Sequence, residues 1–372
     1  MAFLKSGCSD RTEIAQVSGG IPYFAAALTD CHMTRRERIA ALAQLGQKLK
    51  EQNDYLEAVM KRSAFNNPWF TLDSQALAIQ AIAGHFLDIQ ELEKWLDGYD
   101  VPELTQAKTV GLVMAGNIPL VGFHDFLCVF AAGHRAQIKL SEKDPYLLPS
   151  LVKMMTEFDP AVAGYVTFVE RLQAFDAVIA TGSNNSARYF EAYFGKYPHI
   201  IRQNRNAVAV LTGKESHAAL IALGQDIFQF YGLGCRNVSK LYVPRAYDFN
   251  PLLEALHEYN SVVLNDRYKN NFDYQYTLML LNKVEFKANG CILLTENAAI
   301  ASPIACLHFE YYDDLAALNQ LLQENSAAIQ CVLATEAQLH LPTLPFGQAQ
   351  QPTILDYADG VDTMLFLKSL EV

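Results

Sequence analysis

Cys235 closes the segment Tyr231-Gly232-Leu233-Gly234-Cys235-Arg236, between a strong helical pattern and the strand-like KLYV. Two glycines around a turn permit close backbone approach and positive φ, which puts the thiol at the edge of an element, where a nucleophile is reachable. Backbone N–H groups in such a turn, with Arg236 adjacent, are expected to favour the thiolate and to donate to an oxyanion. The same residues also fit a tight turn with a packed cysteine. Asn117, in Ala115-Gly116-Asn117-Ile118-Pro119, follows a buried strand pattern and precedes a helical one. Its amide suits a developing oxyanion, or closes a turn before Pro119 at a first helical position. Thr181-Gly182-Ser183 has a strand-turn-helix setting, which suits a phosphate at a helix N-terminus or a simple serine cap. Lys139-Leu140-Ser141-Glu142 ends another strand pattern, where these side chains reach ribose hydroxyls or a ribose phosphate, or only solvent.

The elements that must position these groups alternate. GLVMA (111–115), AQIKL (136–140), GYVTFV (164–169), DAVIA (176–180) and AVAVL (207–211) are short apolar runs separated by helical patterns at 119–131, 145–158 and 183–194. That alternation predicts a parallel sheet wrapped by helices, a doubly wound Rossmann-like unit over about 105–206. Helical patterns at 215–231, 250–259, 274–286 and 312–323, with strand candidates at 240–243, 291–295, 304–309 and 328–333, predict a second α/β layer. Ahead of both, Ile39, Leu42, Leu45 and Leu49 mark a long amphipathic helix from Thr34 to Arg62, and Leu77, Ile79, Ile82 and Phe86 a second one ending near Gly98. From Leu344 the chain holds Gly347, Pro352 and Gly360 and no long period, which predicts an irregular arm with a short strand.

With 372 residues, 51% apolar and 19% charged, the chain can bury a large core. Its 29 Lys and Arg against 40 Asp and Glu, without a basic block, speak against nucleic acid as a partner. Val110 to Phe123 is too short to span a membrane and is interrupted by Asn117 and Pro119. The first residues, MAFLKSGCSDRTE, lack an apolar leader core, so a cytoplasmic chain with reduced thiols is expected. Seven scattered cysteines without a CxxC argue against a disulfide framework and a zinc cluster, and no metal is expected. His124 and His217 are candidates for proton transfer, and 228–231 and 272–276 for an apolar tunnel.

Asn117, Lys139, Ser183 and Cys235, in this order at element ends, resemble the aldehyde dehydrogenase superfamily. Within it the chain looks most like the LuxC-type acyl-CoA reductases, through AGNIPLVGFHD (115–125), IKLSEKD (138–144), IATGSNNSARYF (179–190), FYGLGCRNVSKLYVP (230–244) and LPFGQAQQPTILDYADGVDTMLFL (344–367). The resemblance covers roughly residues 100 to 372. It implies two Rossmann-like α/β domains with a helical N-terminal region and a C-terminal β arm, divided as 1–104 helical, 105–206 cofactor-binding, 207–343 catalytic and 344–372 oligomerising. It implies Cys235 as nucleophile, Asn117 at the oxyanion, Lys139, Ser141 and Glu142 at the adenosine ribose, and Thr181, Gly182 and Ser183 at the pyrophosphate.

The implied reaction is reduction of a long-chain fatty acyl-CoA, or of an acyl group on a partner protein, to the aldehyde by a homo-oligomer using NADPH or, alternatively, NADH. Two departures bear on it. Where oxidising relatives carry the Glu that activates a deacylating water, this chain has Val210, in Val210-Leu211-Thr212-Gly213-Lys214. That favours acyl transfer over oxidation to the acid. The segment that holds the nicotinamide ribose in those relatives survives only as Ala299-Ile300-Ala301-Ser302-Pro303. Ser141 suits a 2′-phosphate and Glu142 a 2′-hydroxyl, so the cofactor choice rests on the resemblance. The rival readings are an NAD-dependent aldehyde dehydrogenase and a catalytically silent relative that binds an acyl chain or a partner.

Overall fold

The computed structural model describes residues 32–371 apart from 102–105, 336 and 338. The opening MAFLKSGCSDRTE, with Cys8, and Cys31 lie outside the described residues.

Helices come first. α1 (Arg35–Lys50) begins with a reciprocal cap in which the Thr34 hydroxyl accepts the Glu37 N–H at 3.3 Å and the Glu37 carboxylate accepts the Thr34 N–H at 2.8 Å. The single helix expected over 34–62 stops at Lys50, because Asn53 takes the Leu56 N–H at 3.0 Å and starts α2 (Asp54–Asn66). The second expected helix is divided for the same kind of reason. α3 (Leu72–Ala81) runs into one π-helical turn, Ile82–Phe86, and Asp88 then accepts from Gln90 and Glu91 to begin α4 (Ile89–Tyr99).

The first sheet holds β1 (Thr109–Val113), β2 (Arg135–Lys139), β3 (Val166–Phe168), β4 (Ala177–Thr181) and β5 (His199–Arg202), all parallel, in the order β3-β2-β1-β4-β5. The short β5 has no counterpart in the sequence expectations. α5 (Phe123–Ala131), α6 (Leu147–Phe158) and α7 (Asn184–Phe194) connect the strands. Pro119 does not start α5. Leu120 adopts φ 57° and donates its N–H to Asp144 Oδ2 at 2.9 Å, so the chain stays irregular to Gly122. Pro145 likewise precedes α6, which opens at Leu147.

The second sheet holds β6 (Asn206–Val210), β7 (Val238–Pro244), β8 (Lys287–Ala288), β9 (Leu293–Glu296), β10 (Cys306–Tyr312) and β11 (Ile329–Leu333), ordered β11-β6-β7-β10-β9-β8. Only β8 pairs antiparallel. Around it lie α8 (His217–Phe228), α9 (Asn250–His257), α10 (Asp266–Leu281) and α11 (Leu315–Glu324). α10 starts earlier than its apolar pattern, because Asn265 caps it over polar first turns.

The C-terminal stretch corrects the expected β arm. It makes one isolated bridge, Leu333 with Leu344, and ends in α12 (Thr363–Lys368). It lies against its own chain: Trp95 Nε1 donates to the Tyr357 hydroxyl at 2.8 Å, and the Tyr99 hydroxyl donates to Asp362 at 2.6 Å. One apolar cluster joins the N-terminal helices, the first sheet and α12, and another fills the second sheet's α8–α10 side. Trp69 packs against both. No helix among the described residues is long and apolar enough to cross a membrane.

Candidate active site

After α8 the chain makes a turn in which Phe230 (φ 53°), Tyr231 (φ 58°) and Gly232 (φ 74°) are all left-handed. Only glycine adopts that region freely, and each other residue held there costs about 1 kcal/mol or more. Asn237 holds the turn in place. Its Oδ1 accepts the Gly234 N–H at 2.8 Å, and its Nδ2 donates to the carbonyls of Asp226 and Gln229 at 2.9 and 2.8 Å. A Cβ on Gly234 would lie 3.0 Å from that Oδ1, so the position needs glycine's small size. The Tyr231 ring contacts Trp69 at 5.5 Å and Tyr268 at 6.1 Å between centroids. The fully buried Asp226 accepts the N–H groups of Gly347 and Ala349, which ties the C-terminal stretch to the same turn. Burial pushes its carboxyl up to about 6.

Cys235 ends this turn, partly buried and reduced. Asn117 reaches it from the β1 loop, with Nδ2 donating to the Leu233 carbonyl at 2.6 Å. An amide nitrogen carries two hydrogens, so a second N–H remains for a ligand. The expectation that the turn favours the thiolate is corrected. Burial pushes the Cys235 thiol above the ordinary value of 9.0, and Arg236 and the cysteine's own N–H only partly offset it. The dry surroundings outweigh one neighbouring charge.

A mainly apolar cavity of about 180 Å³ opens on the thiol. Its walls come from the β1 loop (Ile118 to Val121), the cysteine turn, the C-terminal stretch (Gln350, Pro352) and the N-terminal helices. The charged groups in it are committed. Asp125 pairs with the buried Arg202 at 2.6 Å, and Asp356 accepts from the Thr353 N–H and hydroxyl at 2.7 Å. His124 also lines it, with Nε2 at 2.8 Å from the Ile354 carbonyl and Nδ1 at 4.0 Å from the Cys128 sulfur. Burial lowers its pKa, so the imidazole is neutral. Just after Val210, the Glu215 carboxylate accepts the N–H groups of Thr212 and Gly213 at 2.6 and 3.0 Å.

Val113 pairs in register with both Lys139 and Ala180, so the Asn117 loop, the β2 end and the β4 end share one carboxyl edge. The connections leave β1 and β4 in opposite directions there, the switch point at which doubly wound sheets bind ligands. Ser183 caps α7, accepting the Ser186 N–H at 3.2 Å, and a Cβ on Gly182 would meet Phe190 at 2.8 Å. Ser141 Oγ accepts the Lys143 N–H at 3.2 Å and would crowd a Cβ on Gly116 at 2.6 Å. Asn66 and Asn67 at the end of α2 donate to the Glu142 and Lys143 carbonyls, each at 3.2 Å. Lys139 and Glu142 are exposed. Solvent-facing Lys139 and Glu142 and the N-terminus of α7 behind Thr181 and Gly182 thus lie open along this edge, where a dinucleotide could be held.

The structure thus joins Asn117 to the Cys235 turn and puts the Lys139 and Thr181 segments along the same sheet edge. His217 is exposed at the start of α8 and takes no part in the cavity wall, and Phe272 stacks on Tyr276 along α10, also outside it. Of the 228–231 segment, Phe230 lines the cavity. Sequence reading missed Asn237, Asp226 and Gln350. Asn237 has a local signal, a polar residue two positions after Cys235. The buried Gln350, whose Nε2 has no partner among the described residues, has none.

No family model and no curated protein sequence matches the chain. Solved structures do match in fold, aldehyde dehydrogenases among them. An indole-3-acetaldehyde dehydrogenase of P. syringae, in complex with NAD+ and IAA, aligns with a TM-score of 0.60 at 15% identity over 78% of this chain and 70% of that one. A Bacillus cereus aldehyde dehydrogenase in complex with NAD+ gives 0.57 at 16% identity over 77% and 69%. An aldehyde dehydrogenase of Physcomitrella patens, in complex with the reaction product succinate, gives 0.59 at 12% identity over 82% and 74%. The fold is that of the aldehyde dehydrogenases, two parallel α/β layers with the cysteine turn between them.

Proposed function

We propose that the protein is an acylating aldehyde dehydrogenase, reducing a fatty acyl thioester such as acyl-CoA, or an acyl group on a partner protein, to the aldehyde. The observation that carries this reading is a thiol in an apolar cavity whose carboxylates are engaged elsewhere, with Val210 in place of a base. Such a site accepts an acyl group, and the groups that could activate water against it, Asp125, Asp356 and His124, are already bonded within the protein.

Cys235 loses its proton and attacks the thioester carbonyl, forming the new C–S bond. The second N–H of Asn117 and the backbone N–H of Cys235 steady the oxyanion. The carbon–sulfur bond to the donor breaks and the donor thiolate leaves with a proton. Exchange of one thioester for another is nearly balanced in energy, so positioning and a dry pocket do most of the work. Lys139, Ser141 and Glu142 would hold the adenosine ribose and Thr181, Gly182 and Ser183 the pyrophosphate, while the resemblance favours NADPH over NADH. When bound, this cofactor supplies the two electrons that take the acyl-cysteine to the aldehyde level. Collapse of the resulting thiohemiacetal breaks the C–S bond, frees the aldehyde and returns the Cys235 thiolate. Overall, thioester, reduced cofactor and one proton become aldehyde, free thiol and oxidised cofactor.

Two of the similar structures were solved in complex with NAD+, which supports a nicotinamide cofactor here. A homo-oligomer remains part of the proposal. The test is to compare the two directions in one preparation, reduced-cofactor consumption with a panel of acyl-CoAs and oxidised-cofactor consumption with the matching aldehydes in water. Acyl-CoA reduction with free CoA required for the reverse reaction is expected. Aldehyde oxidation to the acid without CoA would replace this reading with the oxidising one.

A further inference from the structure

The N-terminal helices carry none of the sequence motifs, yet they build one wall of the cavity that holds Cys235. Ala78 and Ala81 on α3, with Ile82 and Phe86 at the two ends of the π-helical turn, all face it. This wall is wholly apolar, whereas Asp125, Arg236 and Asp356 sit on other elements and are paired or bonded. Two of its four members are alanines, so its side chains leave the space open. Phe86 is fixed against His124 at 5.1 Å between centroids, and His124 is bonded to the Ile354 carbonyl. A π turn widens a helix locally and occurs frequently at functional sites.

The cavity measures about 180 Å³. An apolar cavity of about 150 Å³ stays dry and takes a six-carbon ring. By the same volume per carbon, the room beside Cys235 holds roughly six or seven carbons before a chain reaches the cavity's open side. We propose that the face formed by Ala78, Ala81, Ile82 and Phe86 is the acyl-binding wall, and that it selects a medium-chain acyl group rather than the long chain that the sequence resemblance implies. This rests on the acyl-transfer reading for its substrate, but the wall itself is defined by the cavity.

Two substitutions move the wall in opposite directions. Ala81→Leu adds three carbons to it and Phe86→Ala removes a ring. Two readouts separate the wall from the reaction. The first is kcat/KM for acyl-CoAs of increasing length. It is expected to rise about fourfold per methylene and to level off at roughly six or seven carbons. Ala81→Leu lowers that plateau by two or three carbons, as expected from filling the space, and Phe86→Ala raises it. The second readout needs no turnover: the rate at which N-ethyl-, N-butyl-, N-hexyl- and N-octylmaleimide modify Cys235. The longer reagents are expected to react faster than N-ethylmaleimide up to hexyl, Ala81→Leu removes that advantage over N-ethyl, and Phe86→Ala extends it to octyl. Circular dichroism and thermal unfolding establish that both variants fold.

Maleimide rates indifferent to chain length, or unmoved by both substitutions in folded protein, overturn the wall. A plateau at long chains overturns the medium-chain assignment. Chain-length-dependent maleimide rates, in protein that reduces no acyl-CoA, uphold the wall and overturn the acyl-transfer reading instead.

Discussion

At the scale of single residues, the proposed chemistry turns on a thiol that its surroundings keep protonated. Burial disfavours the charged sulfur, and the neighbouring Arg236 opposes burial. The thiolate fraction below the pKa rises tenfold per pH unit, so the rate of Cys235 modification by iodoacetamide is expected to keep climbing as pH rises through 9.0, the ordinary thiol value. Arg236→Gln removes the larger charge that lowers the pKa and should slow modification at every pH below the plateau. A plateau near neutrality would show a thiolate that burial does not disfavour. Asn117→Ala removes both the tie to Leu233 and the proposed oxyanion donor. A loss of about a hundredfold or more in kcat is expected from the deletion of one such donor, with modification of Cys235 by iodoacetamide as the control for an intact turn. The placement of Cys235 and Asn117 at element ends was legible in the sequence, because helix-to-strand and strand-to-helix turns carry their own Gly and Pro punctuation. The state of the thiol was not legible, since it depends on how deeply the packed molecule buries the turn.

At the scale of elements, the cysteine turn is a strained segment held from within by Asn237 and from the β1 loop by Asn117. Asn237 makes four hydrogen bonds within it, to Gly234, Asp226, Ile227 and Gln229. Asn237→Ala leaves those buried groups without partners, at about 1–3 kcal/mol for each one that finds no water. Urea unfolding should show that loss. Stability within about 0.5 kcal/mol of wild type would mean that the turn does not depend on Asn237. The β1 loop departs from expectation for a related reason. Pro119 suits a helix start, but Asp144, distant in sequence, captures the Leu120 N–H and keeps the loop irregular. The breaks at Asn53 and Asp88 were visible only as ordinary polar residues within good helical periods. Their side chains capture backbone N–H groups and restart the helix, a local choice that periodicity does not report.

At the scale of the whole molecule, the C-terminal stretch fastens three regions together. Arg202 at the end of β5 pairs with Asp125 on α5 and donates to the Ala358 carbonyl and the Thr363 hydroxyl. Breaking a buried pair by removing one partner costs about 3–5 kcal/mol, and Arg202→Ala is expected to show that loss in thermal or urea unfolding, with Asp125 stranded beside the cavity. A loss below about 1 kcal/mol would show that solvent or another cation compensates Asp125. The alternation of strands and helices made the two parallel layers readable from the sequence. The fate of the last thirty residues was not readable, because their Gly and Pro punctuation fits an arm that projects as well as one that folds back. What decides is a set of distant contacts, Trp95 with Tyr357, Tyr99 with Asp362 and Asp226 with Gly347.

The central claim is that Cys235 carries the acyl group and that water does not remove it. Intact-protein mass spectrometry after incubation with hexanoyl-CoA, without cofactor, measures this directly. The expected result is one hexanoyl group on Cys235, absent from Cys235→Ala, persisting until a reduced nicotinamide cofactor is added and then released as the aldehyde. No adduct on folded protein whose Cys235 still reacts with iodoacetamide, or an adduct that hydrolyses to hexanoate before the cofactor is added, would contradict it.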